Sequence, residues 1–232
     1  MKTRQEIKAI AKESMGKQRG TAILLGVLLG VVSFASSILD MIVMFATGGQ
    51  GVLYWIVFTL GMFVIYVAMI NMYGEYIKVY KQETADAGAV FTGMGVNFLR
   101  KLGGMLWMLL FVFLWSLLFI IPGIIKGLSY FATTFILADC PNVEACDALK
   151  VSMKITEGHK ADIFVFNLSF IGWYILSIFT CGILYIVYVG PYYSTAASGY
   201  YLEMRDEALA QGRITREDLG WGAEDNTAEF AN

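Results

Sequence analysis

Charge is scarce in this chain. Only 16% of its 232 residues are Asp, Glu, Lys or Arg, against 57% hydrophobic, where a soluble domain carries about 25% charged residues. A globule of this length cannot hide so much apolar surface, so the composition excludes an ordinary water-soluble domain and points to lipid as the solvent. Histidine is nearly absent: the single His159 leaves no metal set and has no nearby Ser or Cys partner for acid–base chemistry. Cys140, Cys146 and Cys181 are an odd number without repeating spacing, which is no disulfide framework. Cys140 and Cys146 lack the paired Cys or His neighbours that zinc requires. The net charge of -2, with no basic stripe interleaved with aromatics, argues against a nucleic-acid partner. No HExxH, paired-acid or Ser/His set lies in the apolar segments. Gly48-Gly49-Gln50-Gly51 neither follows a strand nor opens a Lys-bearing helix, so it is no phosphate loop. The expectation is a protein without catalytic residues, cofactor or metal.

What the chain has instead is six apolar runs, at 22–46, 52–77, 102–121, 123–138, 163–179 and 182–202. A span takes about 20 apolar residues; 123–138 and 163–179 are short, and whether 123–138 crosses fully or is re-entrant stays open. Pro122-Gly123 and Thr180-Cys181-Gly182 are turn signals, and proline in a helix interior breaks the hydrogen-bond ladder. Two tight hairpins therefore fit better than two very long helices. The expected fold class is all-α, a multi-pass transmembrane bundle of about six spans in three tandem hairpins, with amphipathic interfacial helices. Residues 1–20 form a leader, 21–204 the membrane domain with cytoplasmic connections at 78–101 and 139–161, and 205–232 an acidic, disordered tail.

Thr3-Arg4-Gln5-Glu6 is a capping box. Ile7, Ile10, Ala11 and Met15 then share one helical face, ringed by Lys2, Arg4, Lys8, Lys12, Lys17 and Arg19. Two readings stand: a helix lying apolar face down on anionic lipid headgroups, or a solvated basic leader that only sets topology. The run at 22–46 is too long for a signal core, so an uncleaved first span is expected. Phe91, Met94 and Phe98 recur at helical spacing and are expected on the membrane surface. Val143, Cys146, Leu149 and Met153, after Pro141, mark a second interfacial helix over 142–158. The turns at 47–51, 121–123 and 180–182 hold no Lys or Arg, whereas Lys78, Lys81, Arg100, Lys101, Lys150, Lys154, Lys160, Arg205, Arg213 and Arg216 lie in the inner segments and only Lys126 falls on the outer side. Cations stay cytoplasmic, so both termini are expected inside.

The stretch from Leu114-Trp115-Ser116 to Pro122-Gly123-Ile124-Ile125-Lys126, with Tyr130, Ile136-Leu137-Ala138-Asp139 and Pro141, is distinctive. So are Ala148-Leu149 with Ser152, Gly158-His159-Lys160, Leu168-Ser169-Phe170-Ile171-Gly172-Trp173, Gly190-Pro191-Tyr192 and Tyr200-Tyr201. Together they resemble the bacterial integral membrane family catalogued as domain of unknown function 975, over nearly all of the chain except the tail. The resemblance implies a multi-pass protein of the bacterial plasma membrane, and it implies no activity.

Charge inside a bilayer is costly and draws attention. Asp40 and Lys126 lie at similar depth in their runs and are a candidate intramembrane ion pair; alternatively Lys126 snorkels along its own stem. Asn71, Glu75 and Asn167 are a candidate inner polar cluster, or interhelical hydrogen bonds worth about 0.6 kcal/mol each. Pro122, Gly123, Gly182 and Pro191 are the expected helix-turn positions, while Gly26-x-x-x-Gly30 and 194–199 are close-packing devices. The bilayer is the expected partner, with anionic headgroups at the leader; a second copy or another membrane protein is left open. Two functions remain. One is a non-enzymatic accessory, regulatory or envelope-tolerance component. The alternative is a small transporter or lipid-handling protein.

Overall fold

The computed structural model describes residues 2–48, 51–118 and 120–221. The described residues are helical, with no strand among them. The α-helices are α1 (Arg4–Lys17), α2 (Arg19–Thr47), α3 (Val52–Lys81), α4 (Ala89–Thr92), α5 (Phe98–Leu118), α6 (Ile120–Ser129), α7 (Thr133–Asp139), α8 (Ala145–Ile155), α9 (Lys160–Leu168), α10 (Ile171–Phe179) and α11 (Gly190–Ala210). A π-helical turn, Tyr185–Val189, precedes α11, and a 3-10 turn, Glu217–Leu219, follows it. The chain forms two compact units. Unit I holds residues 5–98 and 170–199; unit II holds 2–4, 99–169 and 200–221.

Five helical segments are long and apolar enough to cross a membrane: Arg19–Thr47, Val52–Lys81, Phe98–Leu117, Ile121–Asp139 and Lys160–Phe179. Their outer faces are bare. Phe34 is 69% exposed, Phe45 75% and Phe179 80%. In water each large apolar side chain left out costs about 1.5–3 kcal/mol. A handful of these would match the whole stability of a domain, roughly 5–15 kcal/mol, so lipid must cover them. The sixth expected run differs. Residues 182–202 open with the turn and the π-helical stretch, and α11 carries Ser194, Thr195, Ser198, Glu203, Arg205 and Asp206. Most of it is buried, with Ala196, Tyr201 and Met204 fully enclosed. A helix covered by protein needs no lipid-matched apolar surface, which is why its composition falls short of a span.

Each hairpin is antiparallel. In unit I the Tyr76 hydroxyl of α3 donates to the Ala22 carbonyl of α2 at 3.0 Å, and Gly61 meets the Ser36 hydroxyl nearer the turn. Met15, Ala22, Leu25, Ala68, Met72, Tyr76, Ala87 and Val90 form the core there. The third hairpin is zipped by aromatic pairs: Trp173 with Tyr188 at 5.5 Å, Phe170 with Tyr192 at 5.4 Å. It turns where the sequence places it. Cys181 (φ 50°) and Gly182 (φ 81°) are left-handed, and their N–H groups bond back to Ile178 and Ser177, a helix end that favours glycine.

The second hairpin corrects an expectation. Pro122 and Gly123 stand inside α6, in its first turn, where a missing N–H breaks no bond; the chain reverses before them. The reversal shows in Lys126 lying over the Trp115 ring at 5.0 Å. A Cβ on Gly123 would come within 2.9 Å of the Ser116 Cα, so glycine is required for the arms to close. Pro191 likewise sits in the first turn of α11 rather than in a turn.

The leader is the second correction. α1 forms, but Ile7, Ala11, Ser14 and Met15 are buried by protein, not laid on lipid. The Ser14 hydroxyl donates to the Tyr80 carbonyl. Lys12 and Arg19 remain exposed. α8 departs similarly. Its buried face is Ala148, Leu149, Val151, Ser152 and Ile155, and Cys146 is exposed; the Ser152 and Thr156 hydroxyls donate to the Ser129 carbonyl at the end of α6.

Gly123→Ala should destabilise by about 1–3 kcal/mol through overpacking, whereas Gly127→Ala, with open space around its Cα, should be neutral or slightly stabilising. Thermal unfolding of the two variants in detergent checks the contrast, and equal Tm values would contradict the close approach at Ser116.

Candidate functional site

Polar side chains gather where helices meet their connections. In unit I, Glu75 on α3 is 5% exposed. Its Oε2 accepts the Asp86 N–H at 2.9 Å and its Oε1 the Lys78 ammonium at 2.8 Å. Asn71, one turn earlier, donates to the Val90 carbonyl at 2.9 Å. Gln18, between α1 and α2, donates to the Glu83 carbonyl and accepts the Ala85 N–H. These amides and carboxylates hold the connection 82–93 onto α3, with Val90 in the core. The connection is therefore docked on protein through Val90, while Phe91 stays exposed. Asn71 and Glu75 work on this one segment. Asn167 belongs to unit II, where its amide donates to the Ile163 carbonyl of its own helix.

In unit II the base is built on α7. Arg100 donates to the carbonyls of Leu137 at 2.6 Å, Cys140 at 3.0 Å and Val143 at 2.7 Å, closing a helix end whose last carbonyls otherwise lack partners. Asp139 Oδ2 accepts from Arg205 at 2.9 Å and from the Tyr201 hydroxyl at 3.1 Å. Arg205 is 3% exposed and also pairs with Asp206. Its guanidinium lies 4.9 Å from the Trp221 ring. Burial pushes the neighbouring Cys140 thiol up to about 12, and Asp139 adds to the rise. Cys140 is thus a protonated, inert thiol at neutral pH.

The tail is not a disordered extension as far as residue 221. Ile214 and Leu219 are buried, Arg213 donates to the carbonyls of Lys154 and Glu157, and Asn142 donates to the Gly220 carbonyl. Residues 222–232 lie outside the described residues. A polar groove of about 410 Å³ runs between α8 and this returning segment, lined by residues including Asp147, Lys150, Lys154, Glu217 and Asp218. His159 sits 3.2 Å from Glu207. Among the described residues no group of His, Cys, Asp and Glu has metal-holding geometry.

Unit I contains a second feature, an apolar crevice of about 160 Å³ lined by residues including Gly26, Gly30, Ser33, Tyr76, Tyr185 and Ile186. Gly26 lets α2 approach the π-helical turn: a Cβ there would sit 3.0 Å from the Ile186 carbonyl.

A sequence model of the family described as "Protein of unknown function (DUF975)" matches residues 53–208, well over half of the chain. The chain belongs to the DUF975 family. The DUF975 region takes in Glu75, Arg100, Asp139, Tyr201, Arg205 and the π-helical turn, and leaves out α1 and α2. No curated protein and no solved structure matches the chain.

Asp40 and Lys126 fall in different units. Asp40 Oδ1 is enclosed, with no hydrogen-bond partner among the described residues. The Lys126 ammonium lies over Trp115 and 3.8 Å from the Met153 sulfur. The sequence marks Asp139 only within the family-bearing stretch and Arg205 only among the cations that set topology; 66 residues separate them, and no spacing rule announces such a pair.

Arg205→Met should destabilise by leaving the partly buried Asp139 without its cation, by less than the roughly 3–5 kcal/mol of a fully buried pair, and adding Asp139→Asn should recover part of that loss; thermal unfolding of both variants in detergent measures it.

The Thr215 N–H holds the Asp218 carboxyl below the usual carboxylate range, burial opposes this, and the Lys154 ammonium adds to the lowering. A lowered carboxyl contributes stability that is full above its unfolded value, about 3.9, and lost as pH falls through the folded value. Protection factors over 213–221, each referred to the intrinsic exchange rate at that pH, should therefore hold level at pH 5–7 and fall in acid below about pH 4. Asp218→Asn should lower the protection at neutral pH and remove its acid dependence.

Proposed function

We propose that this chain is a non-enzymatic accessory component of a bacterial plasma membrane, with both termini in the cytoplasm and a cationic inner face that meets anionic headgroups. The observation that carries this reading is the charge layout on the hairpins. The turns of the first and third hairpins hold no Lys or Arg, while Lys12, Lys17, Arg19, Lys78 and Lys81 lie at the opposite end of the first, and Lys160 opens the arm that leads to the turn of the third. Excess cations on the cytoplasmic side are what orients helical membrane proteins. The buried polar groups support the same reading, because Glu75, Arg100 and Arg205 are spent on fastening connections to helix ends. The alternative, a lipid-handling role, is favoured by the crevice beside Gly26 and Gly30.

Reporter fusions test the topology. A reporter active only outside the membrane should be active after Gly51 or Cys181 and silent after Asp86 or Lys154. Activity after Lys154 would overturn the placement of the connections. For the headgroup contact, replacing Lys12, Lys17 and Arg19 with Gln should weaken crosslinking of the leader to phosphatidylglycerol in vesicles; unchanged crosslinking would reject it.

A further inference from the structure

The crevice in unit I has features that go beyond a packing defect. It holds about 160 Å³, close to the cavity size that takes a benzene-sized apolar guest. Its walls are the glycine face of α2, Met72 and Tyr76 of α3, and the π-helical turn with Pro191. A π-helical turn departs from the regular ladder and recurs at functional sites; here Gly26 allows the backbone of α2 to rest against the Ile186 carbonyl. The mouth is accessible, since Tyr185 is 47% and Ile186 37% exposed. Within a bilayer, a void of this kind that stays unfilled forfeits the dispersion contacts of its whole lining.

The same helix carries a cation at the right place. Arg19, Gly26 and Ser33 are spaced by seven residues and so share one face of α2. Arg19 lies about 10 Å along the axis from Gly26, at roughly 1.5 Å per residue. It is exposed, and no ion pair or hydrogen bond engages its guanidinium among the described residues. Lys12, on α1, is exposed and equally unengaged. A free guanidinium at the end of the span, above an apolar slot on the same face, matches the two ends of one kind of molecule.

We propose that unit I binds one anionic phospholipid, with an acyl chain in the crevice beside Gly26 and Gly30 and the phosphate on Arg19, assisted by Lys12. The charge layout selects the anionic lipid: guanidinium is the side chain suited to phosphate, and a zwitterionic lipid would add a cation beside two others. Binding gains little from hydrophobicity, because lipid tails are as apolar as the crevice; packing and the phosphate contact must supply it. This inference rests on the membrane placement proposed above.

Native mass spectrometry of the full chain, mixed with phosphatidylglycerol or phosphatidylcholine of identical acyl chains, tests it. The wild type should retain one phosphatidylglycerol per chain at about fivefold or greater occupancy over phosphatidylcholine. Gly30→Leu fills the crevice without striking backbone, since a Cβ there meets only the end of Ile186 at 3.9 Å, and should cut occupancy by both lipids about fivefold or more. Should Gly30→Leu fail to fold, Ser33→Leu blocks the same slot. Arg19→Gln should keep the chain-binding slot and lose the preference for phosphatidylglycerol. Equal retention of both lipids by the wild type, or wild-type occupancy in a folded crevice variant, overturns the proposal. An alkaline carbonate wash of membranes separately reads the membrane placement. Release of the protein there would sink the broader reading, whereas retention with no lipid preference would sink only this site.

Discussion

In hydrocarbon a backbone N–H or C=O has no water to turn to, and each one left bare costs several kcal/mol. The chain breaks its apolar helices repeatedly, so each break must close its own hydrogen bonds. At 130–132 the Tyr130 N–H returns to Lys126 and the Thr133 N–H to Tyr130. At the third turn Gly182 returns to Ser177. Hydroxyls in the apolar helices follow the same rule: Ser37, Thr59, Ser116 and Ser177 each donate to the carbonyl four residues back. These groups are polar by composition and already satisfied by their own helix.

The same constraint explains where the stronger polar groups go. Glu75, Arg100 and Arg213 each bridge to backbone atoms of a segment far away in sequence or lacking helical bonds, and Gln18 does so with a neutral amide. The bonds of the three charged groups are charge-assisted, about twice as strong as neutral ones. They let short, irregular connections pack against helix ends without leaving backbone groups orphaned. The buried Asp139–Arg205 pair differs, because two charges are removed from water together. Tyr201 and Asp206 offset that cost by occupying the remaining bonding capacity.

Much of this layout is legible in the chain. The long helices follow from apolar runs near 20 residues, and the turn at Cys181-Gly182 from the need for positive φ. Pro122 misleads because proline is equally at home in a first helical turn, and here it stands inside α6. Periodicity finds the amphipathic face of α1 and misses most of that of α8, where Leu149 is buried but Cys146 is exposed. It is also blind to what covers a face: Ile7 and Ala11 have the pattern of a lipid-facing stripe and are enclosed by protein. The segment after Ala210 escapes altogether. Ile214, Leu219 and Trp221 anchor it without sharing any helical period, and their partners are Arg205, Arg216 and distant backbone. Glu75 and Asn71 stand out as polar residues in an apolar run, yet their partners, Asp86 and Val90, carry no mark of their own.

Ser14 donates to the carbonyl of Tyr80, 66 residues later in the chain. A ribosome adding about 5–20 residues per second needs roughly 3–13 s to make that stretch. Through that interval the face of Ile7, Ala11 and Met15 has none of its final neighbours from α3 or the connection beyond it. An amphipathic helix with lysines on its rim is suited to wait on a membrane surface meanwhile. The apolar face of the leader is thus made several seconds before the α3 carbonyl that fastens it.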